Sequence, residues 1–139
     1  MGELYRTDLA LWSAQQAEAI RAAAREGRNA PVDWDNVAEE IESLGASERR
    51  TLASHIRTVL EYLMKLQGSP APDPRRRWRE TITRARIEIE QILEESPSLR
   101  REVSDVIARQ HGAARRIVGD GLTYDADQVL GDWFPGSET

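Results

Sequence analysis

The stretch Asp33-Trp34-Asp35-Asn36-Val37-Ala38-Glu39-Glu40-Ile41-Glu42-Ser43-Leu44-Gly45-Ala46-Ser47-Glu48-Arg49-Arg50 decides the fold. Trp34, Val37, Ile41 and Leu44 recur at helical intervals with carboxylates between them, the pattern of an amphipathic helix. The helix begins at Asp33 or at Asn36, whose side chain fits an N-cap with Glu39 reaching back as a capping box. Gly45 fits the left-handed position that closes a helix, and Ser47-Glu48 reads as the cap and acidic first turn of the next one. A helix end is therefore expected at Gly45 and a new start at Ser47.

The same signals recur to either side. A first helix is expected from Thr7 or Asp8, through Leu9, Trp12, Gln16, Ile20 and Ala23, to Gly27, followed by a loop at Asn29, Ala30 and Pro31. Beyond Ser47, the positions Leu52, Ile56, Val59, Leu63 and Leu66 form a packing seam. Gln67-Gly68-Ser69-Pro70-Ala71-Pro72 cannot continue a helix, and Asp73-Pro74 restarts one as cap and first-turn proline. That fourth helix carries Trp78, Ile82, Ala85, Ile89 and Leu93 on one face. Ser96-Pro97 repeats the start signal for a fifth, with Leu99, Val103, Val106, Gln110, Ala114 and Ile117 facing one way and Gly119 near its end. A short helix from Thr123 to Leu130 leads into Asp132-Trp133-Phe134-Pro135, whose aromatics are expected to dock on the bundle. No stretch alternates in the manner of a half-buried strand. The expected architecture is all-α, a single helical bundle of five main helices plus a short C-terminal helix, forming one domain over residues 1–139.

Composition bounds the function. A chain of 139 residues can bury about two thirds of its unfolded surface without a staple. It contains no cysteine, which removes disulfides, thiolate metal sites and cysteine catalysis together and suits a reducing compartment. The start, Met1-Gly2-Glu3-Leu4-Tyr5-Arg6, lacks the apolar run of a signal peptide, and no later segment reads as a membrane span, so a cytoplasmic location is expected. A net charge of −5 and a pI near 5.1 oppose global attraction to nucleic acid or anionic lipid while leaving room for a local basic patch.

Tyr5, Asp8 and Trp12, the acid helix from Asn36 to Leu44 with Gly45, and Glu48-Arg49-Arg50 form a pattern by which nearly the whole chain resembles a bacterial family known as domain of unknown function twenty-nine. Leu63 and Lys65, then Trp78, Thr81, Ile82 and Arg86, then Ser96-Pro97-Ser98-Leu99, and finally Leu130 and Phe134-Pro135 carry it further. The family pattern has a histidine where this chain has Tyr62, and often an aromatic residue in place of Leu66. The resemblance implies a small helical bacterial protein and no particular activity.

Three constellations are candidates for chemistry. The acid helix has the composition of a divalent-metal site, which would serve a metal-assisted hydrolase using Glu40, Glu48 and His55. At about a hundred degrees per residue, however, Glu39 points away from the stripe and Glu40 and Glu42 fall on opposite borders, so they cannot chelate one ion together. The later Glu102 and Asp105 sit off the apolar face of their helix. Glu48, His55 and Tyr62 are spaced by heptads along a seam edge, the best geometry for proton chemistry, but lie about 10 Å apart along the axis, so any partner must come from another helix.

The third is the basic run Arg75-Arg76-Arg77-Trp78-Arg79, continuing to Arg84 and Arg86. Guanidinium groups beside an aromatic ring suit nucleic acid, with Trp78, Arg79 and Arg86 as the binding residues. Against this, Trp78 shares a face with Ile82 and Ile89, and the arginines spread around the helix. Arg86 falls inside the apolar stripe and is expected to form a partly buried pair with Glu40 or Glu48. Leu60 and Ile87 stand outside the main seams, so they either pack on the first helix or form an exposed patch that a partner covers, as in a homodimer. With no complete catalytic set and no cofactor motif, the leading expectation is a non-enzymatic protein acting through protein contacts or self-association. The metal-assisted hydrolase and the nucleic-acid binder remain as alternatives.

Overall fold

In the computed structural model, residues 2–27, 31–68, 72–119 and 123–136 are described. Among them every regular element is helical: α1 (Gly2–Thr7), α2 (Leu9–Arg25), α3 (Trp34–Gly68), α4 (Pro72–Glu95), a 3-10 turn (Pro97–Glu102), α5 (Val103–Val118) and α6 (Ala126–Leu130). The all-α class holds, and the helices divide differently from the expected pattern. The break at Gly45 does not exist: α3 runs through it without interruption. Gly45 is buried and does not have the positive φ of Gly27, Gly119 and Gly136. What the position requires is space, since a Cβ there would lie 2.5 Å from Ser13 Oγ and 3.4 Å from the Ala10 carbonyl.

The chain forms two compact units, Met1–Arg50 with Ile92–Arg100, and Thr51–Gln91 with Arg101–Thr139. In the first, α2 buries the small residues Ala10, Ser13 and Ala17, while α3 buries Ala38 and Gly45. Small side chains at a contact shorten the distance between helix axes, so this unit is built on close backbone approach. The expected stripe is thereby rotated: Val37 and Leu44 are 38% and 42% exposed. Glu39, Glu40 and Glu42 are all exposed, and Glu42 holds Arg21 in a two-pronged bond at 3.0 and 3.1 Å.

Asp8 caps α2 as expected, accepting from the Leu11 amide at 3.0 Å. It also receives the Ser98 amide and hydroxyl at 2.7 and 2.8 Å, which fastens the turn after α4 to the start of α2. A further orphan amide of that first turn, from Ala10, donates to the buried Ser96 hydroxyl at 3.0 Å. The short α1 ahead of this cap was not anticipated; it sets Tyr5 edge-on to Trp12 at 4.8 Å.

In the second unit the expected seams of α3 and α4 are in place, and on α5 Val103, Val106 and Ala114 are buried as expected while Ile117 is 60% exposed. Leu52, Ile56, Val59, Leu63 and Leu66 of α3 and Ile82, Ala85 and Ile89 of α4 are buried, as is Leu60. Ile87 is 52% exposed, so the two surplus apolar residues have opposite fates. The Ser96-Pro97 start signal opens a 3-10 turn that passes into α5, and α5 ends at Gly119 with φ 101°. Asp125 and Gln128 close a capping box at α6, later than the expected start at Thr123. The expected loop at Asn29 and Ala30 and the linker residues Ser69, Pro70 and Ala71 lie outside the described residues, while Gln67 and Gly68 of that expected linker belong to α3 and Pro72 to α4.

Candidate functional site

Helix α4 begins with positive charge at its N-terminal end, where the macrodipole is unfavourable to it, so each arginine there needs another source of stabilisation. Arg75 donates one Nη to the Leu66 carbonyl, among the last of α3, and the other to Pro135 at 3.1 Å. Arg86, half-buried three turns later, donates Nε to the Val129 carbonyl at 2.9 Å and Nη2 to those of Gln128 and Trp133, both at 2.7 Å. Its partners are thus main-chain carbonyls of the C-terminal segment, two of them in the last turn of α6, and not the expected Glu40 or Glu48. A guanidinium suits this role because its fixed fork reaches several acceptors and it is drawn to the negative end of a helix. Burial pulls its pKa down and nearby Asp132 opposes that pull.

The segment so anchored places the half-buried Phe134 against α4, with Arg86 Cζ 5.0 Å and Arg79 Cζ 5.6 Å from its ring centroid. Distances of this kind are cation–π contacts. Two open grooves meet at Phe134 and Thr83. One, of about 680 Å³, is lined by Arg75, Arg76, Arg79, Glu80, Thr83, Arg84 and Phe134. The other, of about 370 Å³, is lined by Thr83, Arg86, Ile87, Glu90, Leu130, Gly131, Asp132 and Phe134. Among the described residues, Arg76, Arg79 and Arg84 have no carboxylate at salt-bridge distance, and all three are exposed. The larger groove is therefore cationic with an aromatic wall, and the smaller is predominantly apolar at Ile87 and Leu130. Trp78 is half-buried and does not line either groove.

Glu40 is exposed and Glu48 half-buried in the first unit; His55 and Tyr62 are half-buried in the second. Tyr62 lies under Lys65 Nζ at 4.3 Å. Among the described residues, no three His, Asp or Glu side chains gather as they would to hold a metal ion. Glu48 accepts from the Ser96 hydroxyl at 3.1 Å, completing the chain from the Ala10 amide through Ser96.

Burial raises the Glu48 pKa, the Ser96 bond lowers it in part, and Glu95 raises it again. The folded state therefore binds this proton more tightly than the unfolded chain does. The corresponding stability is present below the ordinary glutamate pKa and is lost as pH rises through the raised value. Glu48→Gln keeps an oxygen for Ser96 and removes the ionisation. Thermal melts from pH 3 to 8 are expected to show the variant more stable than the parent at pH 7, with the advantage gone below about pH 4. An advantage that persisted at acid pH would contradict this assignment.

One buried group escaped the sequence reading. His111 on α5 is 7% exposed, accepts the Tyr124 amide at Nε2 (3.2 Å) and stacks on the Tyr124 ring at 6.2 Å and 13°. The Trp133 ring lies 6.0 Å from that of Tyr124, tilted by 48°, and the Tyr124 hydroxyl donates to Gln67 Oε1 at 3.4 Å. Burial pushes the Tyr124 phenol pKa up. The signal was available, since His111 sits beside Val103, Val106 and Ala114 at helical spacing. Its role is to hold the approach to α6, which in turn positions Phe134.

The fold and groove together define a small all-α protein with an arginine-lined groove and, among its described residues, no cluster of His, Asp or Glu placed to hold a metal ion. The family model for Domain of unknown function DUF29 matches residues 4–134, and the chain belongs to that family. It is similar to an alpha-helical protein of unknown function from Rhodospirillum rubrum, with 29% identity and a TM-score of 0.68 over 94% of this chain and 90% of that one. No curated protein matches the chain. No helix among the described residues is long and apolar enough to cross a membrane.

Proposed function

We propose that this protein is a cytoplasmic binding protein that works through protein contacts, and that the α4 groove around Phe134 is its contact surface. The observation that carries this reading is the set Arg76, Arg79 and Arg84, exposed and without carboxylate partners among the described residues, beside a ring already engaged by guanidinium groups. Arginine and aromatic side chains are the residue types that dominate binding energy at protein interfaces. The continuation of the groove to exposed Ile87 adds an apolar subsite, which favours an acidic segment that also carries apolar side chains. Nucleic acid is the weaker reading, because Trp78 is not in the groove and Glu80 and Glu90 line it.

Fluorescence anisotropy with a labelled peptide of alternating glutamate and leucine tests the proposal. Saturable binding is expected, weakening as salt is raised and falling at least about tenfold in Arg79→Glu, since opposed like charges cost several kcal/mol. Equal affinity of parent and variant, or no binding, would overturn it. Preference for a single-stranded oligonucleotide over the peptide would move the assignment to nucleic acid.

A further inference from the structure

The chain itself carries a surface with the chemistry this groove selects. We infer that the occupant of the α4 groove is the exposed stripe Asp33, Val37, Glu40 and Leu44 of a second copy, an inference that rests on the groove being a protein-contact surface. Val37, Glu40 and Leu44 share one side of α3, and Asp33, directly before its first residue, continues the spacing of four, three and four. Val37 and Leu44, two turns apart on that side, are 38% and 42% exposed, and the Asp33 carboxylate accepts from the Asn36 side chain at 2.7 Å. Residues 33–48 hold Asp33, Asp35, Glu39, Glu40, Glu42 and Glu48 with no basic residue among them. Glu42 is occupied by Arg21, and Glu39 also lies within the field of that arginine. Glu40 has no cationic partner at salt-bridge distance among the described residues.

The groove is the counterpart in charge, in apolar content and in length. Of the six arginines among residues 75–86, the exposed Arg76, Arg79 and Arg84 line the larger groove, against the single acid Glu80. From Arg76 to Ile87, and from Asp33 to Leu44, the rise is the same, about 16 Å of helix. Laid parallel at one register, the two lines match at successive turns: Asp33 meets Arg76, Glu40 meets Thr83 and Arg84, and Leu44 meets Ile87. At the same register Val37 falls at Glu80, next to Arg79 and within the groove that Phe134 walls. Exposed ion pairs are worth little singly, so the apolar contacts at Val37 and Leu44 must supply much of the affinity and the charges the register. This is helix-in-groove recognition between copies of one chain.

Sedimentation analysis of the full chain across concentration and salt tests the inference, with Glu40→Arg, Arg84→Glu and Leu44→Asp as exposed-site variants and circular dichroism as the check on folding. The parent is expected to rise above the 15.7 kDa monomer mass with concentration at low salt and to fall back at high salt. Each charge reversal alone is expected to weaken association roughly tenfold or more, and a mixture of Glu40→Arg with Arg84→Glu to restore it through the exchanged pair. Leu44→Asp is expected to remain monomeric. A parent that stays monomeric at every concentration, or an Arg84→Glu protein that associates like the parent, would overturn the inference. If a monomeric parent still binds the acidic peptide, the groove remains a contact surface and only the second copy is eliminated; if peptide binding also fails, both readings fall.

Discussion

Gly45→Leu is expected to lower stability by about 3 kcal/mol, near the upper end of the range for overpacking a contact, and to lower the melting temperature by roughly 10 °C. The first atom of the new side chain would already lie 2.5 Å from Ser13 Oγ, and Ala10 backbone atoms stand at 3.4 and 3.6 Å behind it. Ser13 can rotate; the α2 backbone cannot, so a leucine forces the two helices apart. Gly45→Ala separates this account from a helix-ending role. Alanine gains about 1 kcal/mol of helix propensity and displaces the Ser13 hydroxyl from its 3.0 Å bond to the Ala10 carbonyl, worth about as much, so the single change should be nearly neutral. Combined with Ser13→Ala it should stabilise by up to about 1 kcal/mol. A glycine needed for left-handed backbone would give a loss in both cases, and chemical denaturation of the three variants distinguishes the outcomes.

Arg86→Ala is expected to cost about 3 to 4 kcal/mol and to loosen the segment that carries Phe134. Three bonds from a charged donor, at 2.7 to 2.9 Å, are lost together, and the ring loses one of its two guanidinium contacts. The carbonyls can regain water only if the C-terminal segment moves away. Arg86→Lys retains the charge without the fork and should recover less than half of the loss. Thermal melts supply the magnitude, and faster proteolysis after residue 123 supplies the location. Unchanged stability and unchanged proteolysis in Arg86→Ala would show that Arg75 and the His111–Tyr124 cluster hold the segment alone. Because Phe134 walls the groove, acidic-peptide binding should weaken in the same variant although Arg76, Arg79 and Arg84 are intact.

Much of this was written in the periodicity. The seam from Leu52 to Leu66, the face from Ile82 to Leu93, the Asp8 cap and the Gly119 end all follow from spacing and cap chemistry, which are local. Gly45 was misread because one letter serves two physical purposes, a left-handed backbone and an absent side chain. The correcting signal was present: Trp34, Ala38, Ile41, Gly45, Glu48 and Leu52 are spaced four, three, four, three and four, an unbroken line through the glycine. Weight given to the large apolar residues Val37 and Leu44 concealed it. The burial of Arg86 was legible from its place in an apolar stripe; its partners were not, because main-chain carbonyls have no residue identity to read. The arginines of the groove were visible as a run, but Phe134 is brought to them from the far end of the chain by contacts at Arg75, Arg86 and His111.

The most direct test of the contact surface is a residue-resolved titration of isotope-labelled protein with the acidic peptide, observing the arginine Nε–H and the Phe134 ring resonances. Saturable shifts concentrated on Arg76, Arg79, Arg84, Ile87 and Phe134, and abolished by Arg79→Glu, are the predicted result. Saturable shifts centred elsewhere, or no shifts at millimolar peptide, would contradict the assignment of the α4 groove as the surface through which this protein acts.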